Sequence, residues 1–211
     1  MKKAFTLIEL VFVIIIVGIL AAAIIPRMRS NSLQEAAIEF MSAIRYTQHL
    51  ALVSDRYNPT DPNWYKTKWQ FIYGYGTSSG RGTGGYYSMN IFSDRAGGHS
   101  GKPDLTEMAI DPLSLSKYMS GGYSGILDWK DSKATSRYNL GASYGITNIT
   151  KSGCSGQRVA FDNNGRPFVG NDKNWVSSTD GLLTGTCTFT LHKDTESIQI
   201  HIEPETGYVH L

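Results

Sequence analysis

The sequence is short of features that commonly announce a chemistry. It has little net charge: 20 Lys and Arg stand against 18 Asp and Glu over 211 residues. Loss of Lys2 and Lys3 would leave 18 against 18. No long basic run occurs, which argues against a nucleic acid or another strongly charged partner. Metal-ligand spacing is missing as well. His49, His99, His192, His201 and His210 form no H-E-x-x-H pattern, and no C-x-x-C pair or Cys/His cluster points to zinc. His192 and His201 fall on the polar faces of predicted strands and read as solvated surface. Asp162, Asp172 and Asp180 are candidate calcium ligands by residue type, but the D-x-D-x-D-G spacing of a calcium loop is absent. No cofactor and no enzymatic activity are expected.

Cysteine is scarce too. Cys154 and Cys187 are the only two. If the C-terminal part is exported they can close one disulfide; in a reducing compartment they would be buried thiols.

The apolar residues are unevenly placed. From position 5 to 25 only Thr6, Glu9 and Gly18 interrupt an apolar run. About 21 residues make roughly 31 Å of helix, close to a bilayer core of about 30 Å. The charged part before it is very short, and Pro26-Arg27-Met28-Arg29 follows in place of a small-residue cleavage site. An anchor helix fits better than an ordinary secretory signal. Glu9 is odd in such a helix. Either it is an intramembrane functional carboxylate, or it lies near the interface, stabilised by the positive helix N-terminus.

Lys2-Lys3-Ala4-Phe5-Thr6-Leu7-Ile8-Glu9-Leu10-Val11 resembles the cleavage and methylation motif of the type IV pilin and type II secretion pseudopilin family. The resemblance implies a cut by a prepilin peptidase between Ala4 and Phe5, followed by N-methylation of Phe5. The family usually has Gly before the cut, so Ala4 departs from the pattern. Glu9 becomes the fifth mature residue, the assembly glutamate that meets the amino terminus of a neighbouring subunit. Gly18 and Pro26 fall where pilins carry helix-loosening residues. Pro26 lacks an amide proton and disturbs the turn before it, and Gly18 lowers helix propensity by about 1 kcal/mol relative to Ala.

Residues 33–55 read as an amphipathic helix, with Leu33, Ala36, Ala37, Phe40, Ile44, Thr47 and Ala51 at three- and four-residue steps. Ser32-Leu33-Gln34-Glu35 has capping-box spacing. That pattern fits a second helix starting there, or one helix continuing from the first; continuity is the expectation. From residue 64 the pattern turns to strands. Trp69 to Tyr73 and Tyr86 to Phe92 are aromatic, β-favouring runs. The loop between them contains G-x-G-x-x-G at Gly80 to Gly85. A strand-like run follows it where a dinucleotide site needs a helix. Residues 93–150 read as a long, partly irregular surface excursion. Asn164-Gly165 predicts a hairpin between 158–161 and 167–169. Two alternating runs, 187–192 and 198–203, and a short last strand, 208–211, complete the pattern. This C-terminal order resembles the H-type minor pseudopilins.

The expected fold is α+β: a long N-terminal helix packed on an antiparallel β-sheet domain, pilin-like. Its divisions are a leader (1–4), a transmembrane and filament-core helix (5–26), an amphipathic continuation (27–57) and a β-rich domain (58–211). The resemblance implies a single pass through a bacterial inner membrane. The C-terminal domain would lie in the periplasm or on an extracellular filament. Partners would be the prepilin peptidase and other pilin subunits. The alternatives are a DNA-binding minor pilin of a transformation pilus and a tip adhesin carried by residues 93–150.

Overall fold

The computed structural model describes residues 6–24, 31–76, 83–95 and 98–211, without the side chains of 21–24. Two compact units divide the chain, Met1–Asn31 and Ser32–Leu211.

The first unit contains helix α1 (Leu7–Ile24). Many of its residues are Val and Ile, which are only moderate helix formers. A short helix of this composition gains little in water. In apolar surroundings, by contrast, a helix satisfies every internal backbone group. The described side chains from 6 to 20 are all exposed. The sequence shows no polar face there, which is the pattern of a helix meant to be covered on all sides.

The second unit is built around helix α2 (Ser32–Val53). Its buried positions are Leu33, Ala36, Ala37, Phe40, Met41, Ala43, Ile44, Thr47 and Ala51, the stripe predicted from sequence with two additions. The four alanines let the helix backbone approach its neighbours closely. Thr47 is buried without penalty because its hydroxyl donates to the Ala43 carbonyl at 2.8 Å. The junction proposed to continue α1 into α2, including Pro26, lies outside the described residues.

Ten strands follow among the described residues, all antiparallel where they pair within sheets. The first sheet has the order β2-β1-β6-β7. It comprises β1 (Trp69–Tyr75), β2 (Tyr87–Ser93), β6 (Arg158–Phe161) and β7 (Pro167–Val169). The second has the order β10-β9-β8-β5. It comprises β5 (Asn148–Ser152), β8 (Cys187–Lys193), β9 (Glu196–Ile202) and β10 (Val209–His210). Every strand predicted in the C-terminal third is present. The β6–β7 turn forms as Asn164-Gly165 requires, with Gly165 at a φ of 78°.

The helix stripe lies against both sheets. Phe40 shows how the layers meet. Its ring centroid is 4.9 Å from Phe71 on β1 and 5.6 Å from Phe189 on β8, edge-on to both, and 5.9 Å from Tyr73. Each such pair adds about 0.5–1.5 kcal/mol beyond area burial. The α+β architecture with antiparallel sheets is therefore the one expected.

Residues 93–150 differ from the expectation of a surface excursion. They carry a short hairpin, β3 (Ile110–Asp111) and β4 (Ser114–Tyr118), and a one-turn helix α3 (Leu140–Tyr144). They also form a small core of their own, in which Met108, Leu127 and Ala134 are buried. Bridges Phe92 to Met108, Asn90 to Ser120 and Ser88 to Asn139 dock the segment on the edge of β2. The segment covers an otherwise open sheet edge. Its apolar residues are too widely spaced to show a period, and much of its seal is polar. Ser120 donates to the Asn90 side-chain oxygen at 2.5 Å.

Candidate functional site

The N-terminal helix carries two of the candidate residues named from the sequence, Glu9 and Gly18. Its first turn is closed by Thr6 and Glu9. The Thr6 amide and hydroxyl both donate to Glu9 Oε2 at 3.1 Å, and the Glu9 amide donates to Thr6 Oγ1 at 3.3 Å. This is a reciprocal capping box, which satisfies amides that a helix start leaves without partners. The carboxylate also sits at the positive end of the helix dipole. Thr6 was not singled out from sequence, although Thr-x-x-Glu before an apolar run is the signal for it.

The helix continues unbroken through Gly18. A side chain at Gly18 would meet nothing within 4 Å in its surroundings, so no close approach within the described residues requires glycine there. Ala4, Phe5 and Pro26 lie outside the described residues. α1 has 18 residues, a rise of about 27 Å. Among the described residues no helix is long and apolar enough to cross a membrane.

The disulfide predicted as one of two possibilities is present: Cys154 and Cys187 are bonded, with Cα atoms 5.1 Å apart. It extends the β5–β8 ladder, whose last pair is Ser152 with Thr188. Gly153 beside it has a φ of 73°, and a Cβ there would collide with the Thr186 carbonyl. The chain can make this corner only with glycine.

The polar face of α2 ties the second unit together. Gln48 Nε2 donates to the carbonyls of Gly165 and Thr206, each at 2.8 Å, so it holds two turns at once. Arg45 donates to the Val209 carbonyl at 2.6 Å. Glu39 accepts from Arg137 Nε at 2.6 Å, and Arg137 Nη2 donates to Asp111 at 2.8 Å. Burial alone would raise the Asp111 carboxyl. Hydrogen bonds from Arg137, the Leu113 amide and Thr135 outweigh it and hold the group below its usual range.

Arg158 and Asp172 form a buried ion pair. Gln70 bridges them, accepting from Arg158 at 2.7 Å and donating to Asp172 at 2.8 Å, while Arg158 also donates to the Gly101 carbonyl. Asp172, weighed from sequence as a calcium ligand, is thus a structural counter-ion. Asp162 caps the β6–β7 turn and pairs with Arg166 at 2.8 Å. Asp180 accepts from Ser177 and from the Val176 amide. Each of the three has its own local role. His192 and His201 bond Thr150 and Thr188, each at 2.9 Å. Among the described residues no group of three or more His, Cys, Asp or Glu is placed to hold a metal ion.

Two glycine-rich strings lie around the β1–β2 loop. The G-x-G-x-x-G string leads into β2, not a helix. Gly76-Thr77-Ser78-Ser79-Gly80 has the spacing of a nucleophile elbow, but residues 77–80 lie outside the described residues.

Residues 1–25 match the family described as the prokaryotic N-terminal methylation motif. The match covers the N-terminal 25 of the 211 residues, and its support for a type IV pilin or pseudopilin relationship rests on that segment alone. No curated protein matches the chain, and no solved structure matches it.

Proposed function

We propose that this chain is a minor pilin or pseudopilin of a type IV pilus or type II secretion system, close in kind to the H-type minor pseudopilins. A prepilin peptidase cuts it between Ala4 and Phe5 and methylates Phe5. Residues 5–26 then hold it in the inner membrane until the helix passes into a filament. Gly18 and Pro26 let that helix loosen, and Glu9 sets its register against the amino terminus of the next subunit. The domain from residue 58 onward stays outside the membrane.

The observation that carries this reading is the methylation motif at residues 1–25. Two others support it. The exposed apolar surface of α1 has to be covered by lipid or by other helices. The Cys154–Cys187 bond suits an oxidising compartment. The test is incorporation: the chain co-purifies with sheared filaments or with assembled pseudopilins from its host. Recovery only as a full-length membrane protein would contradict it.

A further inference from the structure

Two clefts meet on the face of the first sheet that points away from α2. Phe71 and Tyr73 pack their rings on Phe40, so strand alternation turns Ile72 and Gly74 to the opposite face. Asn90 and Ser88, their partners on β2, share that face. The first cleft, of about 340 Å³, lies over these four residues and is walled by Lys102 and Gln157. The second, of about 400 Å³, shares Ile72 and Gln157 with it and runs on to Lys151 and Asn171. A ligand that fills both is elongated.

Asn90 is only 2 % exposed, yet half of its amide is unused. Oδ1 accepts from Ser120 at 2.5 Å, while Nδ2 has no acceptor among the described residues. That nitrogen is not sealed from solvent, and Asn90 lines the first cleft. A donor on so buried a side chain normally has a partner. Gly74 lies inside β1, where glycine weakens a strand. Its φ is not left-handed, and a side chain there would meet nothing within 4 Å. No described neighbour therefore requires glycine at this position. A bare stretch of strand is what a ligand or a second backbone needs for close approach. The charge is one-sided as well. Lys102 and Lys151 are exposed and have no ion pair among the described residues. Arg158, in the second cleft, is already answered by Asp172. Among the described residues no Asp or Glu lines either cleft. Tyr123 also lines the first; burial raises its phenol, with Arg158 opposing, so it stays a neutral donor.

We propose that the joined clefts bind an extended acidic peptide segment of a partner protein. Its backbone lies over Ile72 and Gly74, and one of its carbonyls accepts from Asn90 Nδ2. The Gln157 amide, which both donates and accepts, pairs with the same backbone from the other side of β1. The carboxylates of the segment meet Lys102 and Lys151. An isolated anion would use the lysines alone; the bare strand at Gly74 and the two side-chain amides are accounted for only by a ligand that carries a backbone.

The test uses the full chain in detergent and a short fluorescent peptide of alternating alanine and aspartate, capped at both ends. Anisotropy reports binding. The same peptide with asparagine in place of aspartate, and succinate as a competitor, are the controls. The proposal expects the acidic peptide to saturate, to bind more weakly as salt rises, and to bind better than the asparagine peptide. Gly74→Val keeps the strand, since valine favours strands and the space is open; it is expected to weaken binding about tenfold or more. Lys102→Gln, on an exposed side chain, is expected to weaken it about threefold. Asn90→Asp keeps the acceptor for Ser120, replaces the free donor with a like charge, and is expected to abolish binding. Should Asn90→Asp lower the melting temperature, the other two variants carry the test. The proposal is overturned if the acidic peptide does not saturate or if the asparagine peptide binds equally. It is overturned too if succinate displaces the peptide at matching concentration, or if folded Gly74→Val binds as the parent does.

Discussion

Thr6 and Glu9 cap the N-terminal helix reciprocally, each side chain taking the other's backbone amide. Glu9 is thereby hydrogen-bonded within its own chain. A carboxylate waiting in an apolar helix without partners would be costly. The capping box lowers that cost.

Capping and charge can be separated by substitution. Glu9→Gln keeps an acceptor oxygen for the Thr6 amide and loses the charge. Glu9→Leu loses both, and Thr6→Ala loses only the hydroxyl cap, a cost of about 1 kcal/mol. If the proposed pairing drives assembly, both Glu9 variants drop out of sheared filaments while Thr6→Ala is incorporated near the parent level. Immunoblots of filament and membrane fractions measure this. Normal incorporation of Glu9→Leu would remove the assembly role.

The Cys154–Cys187 bond closes a loop across 33 positions, which constrains the unfolded chain by about 3–4 kcal/mol in the loop-entropy account. Replacing both cysteines with Ala is expected to lower the melting temperature by roughly 6–16 °C. Thermal melting of the oxidised parent, the reduced parent and the double variant checks it, with the last two expected to agree closely.

Phe40 has no exposed surface and meets rings from both sheets. Phe40→Ala should destabilise the second unit by about 3–5 kcal/mol. Phe40→Leu should cost less, since much of the volume is retained. Urea unfolding followed by circular dichroism gives both values.

Asp94 predicts a pH dependence. Its side chain is fully buried, Oδ2 accepts from the Gly101 amide at 2.7 Å, and Oδ1 has no hydrogen-bond partner among the described residues. Burial pushes its carboxyl up to about 6, against the Gly101 bond and with help from Asp172 and Glu107. The folded chain therefore holds this proton where the unfolded chain, near 3.8, has released it. Stability from this group falls as pH rises from about 4 to about 6, by up to about 3 kcal/mol. Asp94→Asn should stabilise the domain at pH 7.5 and leave it nearly unchanged at pH 4. Melting curves at the two values decide it.

The periodic elements were legible because burial imposes a period. The α2 stripe from Leu33 to Ala51 repeats at helical steps, and Cys187, Phe189 and Leu191 alternate along a strand. The Asn164-Gly165 turn was legible from backbone geometry alone. The 93–150 segment was not, because Met108, Leu127 and Ala134 are isolated in sequence and packed only through the chain's return. Arg158, Gln70 and Asp172 were invisible for the same reason: residues far apart in sequence satisfy one another. At the N-terminus the motif pointed to Glu9, while Thr6, equally visible as its capping partner, was passed over.

The most direct test of the account is the mass of the chain recovered from a host that carries its own prepilin peptidase. The account predicts a chain that begins at Phe5 and carries one N-methyl group, seen by intact-mass and N-terminal peptide analysis. A chain that still begins at Met1, or that begins at Phe5 without the methyl group, would contradict it.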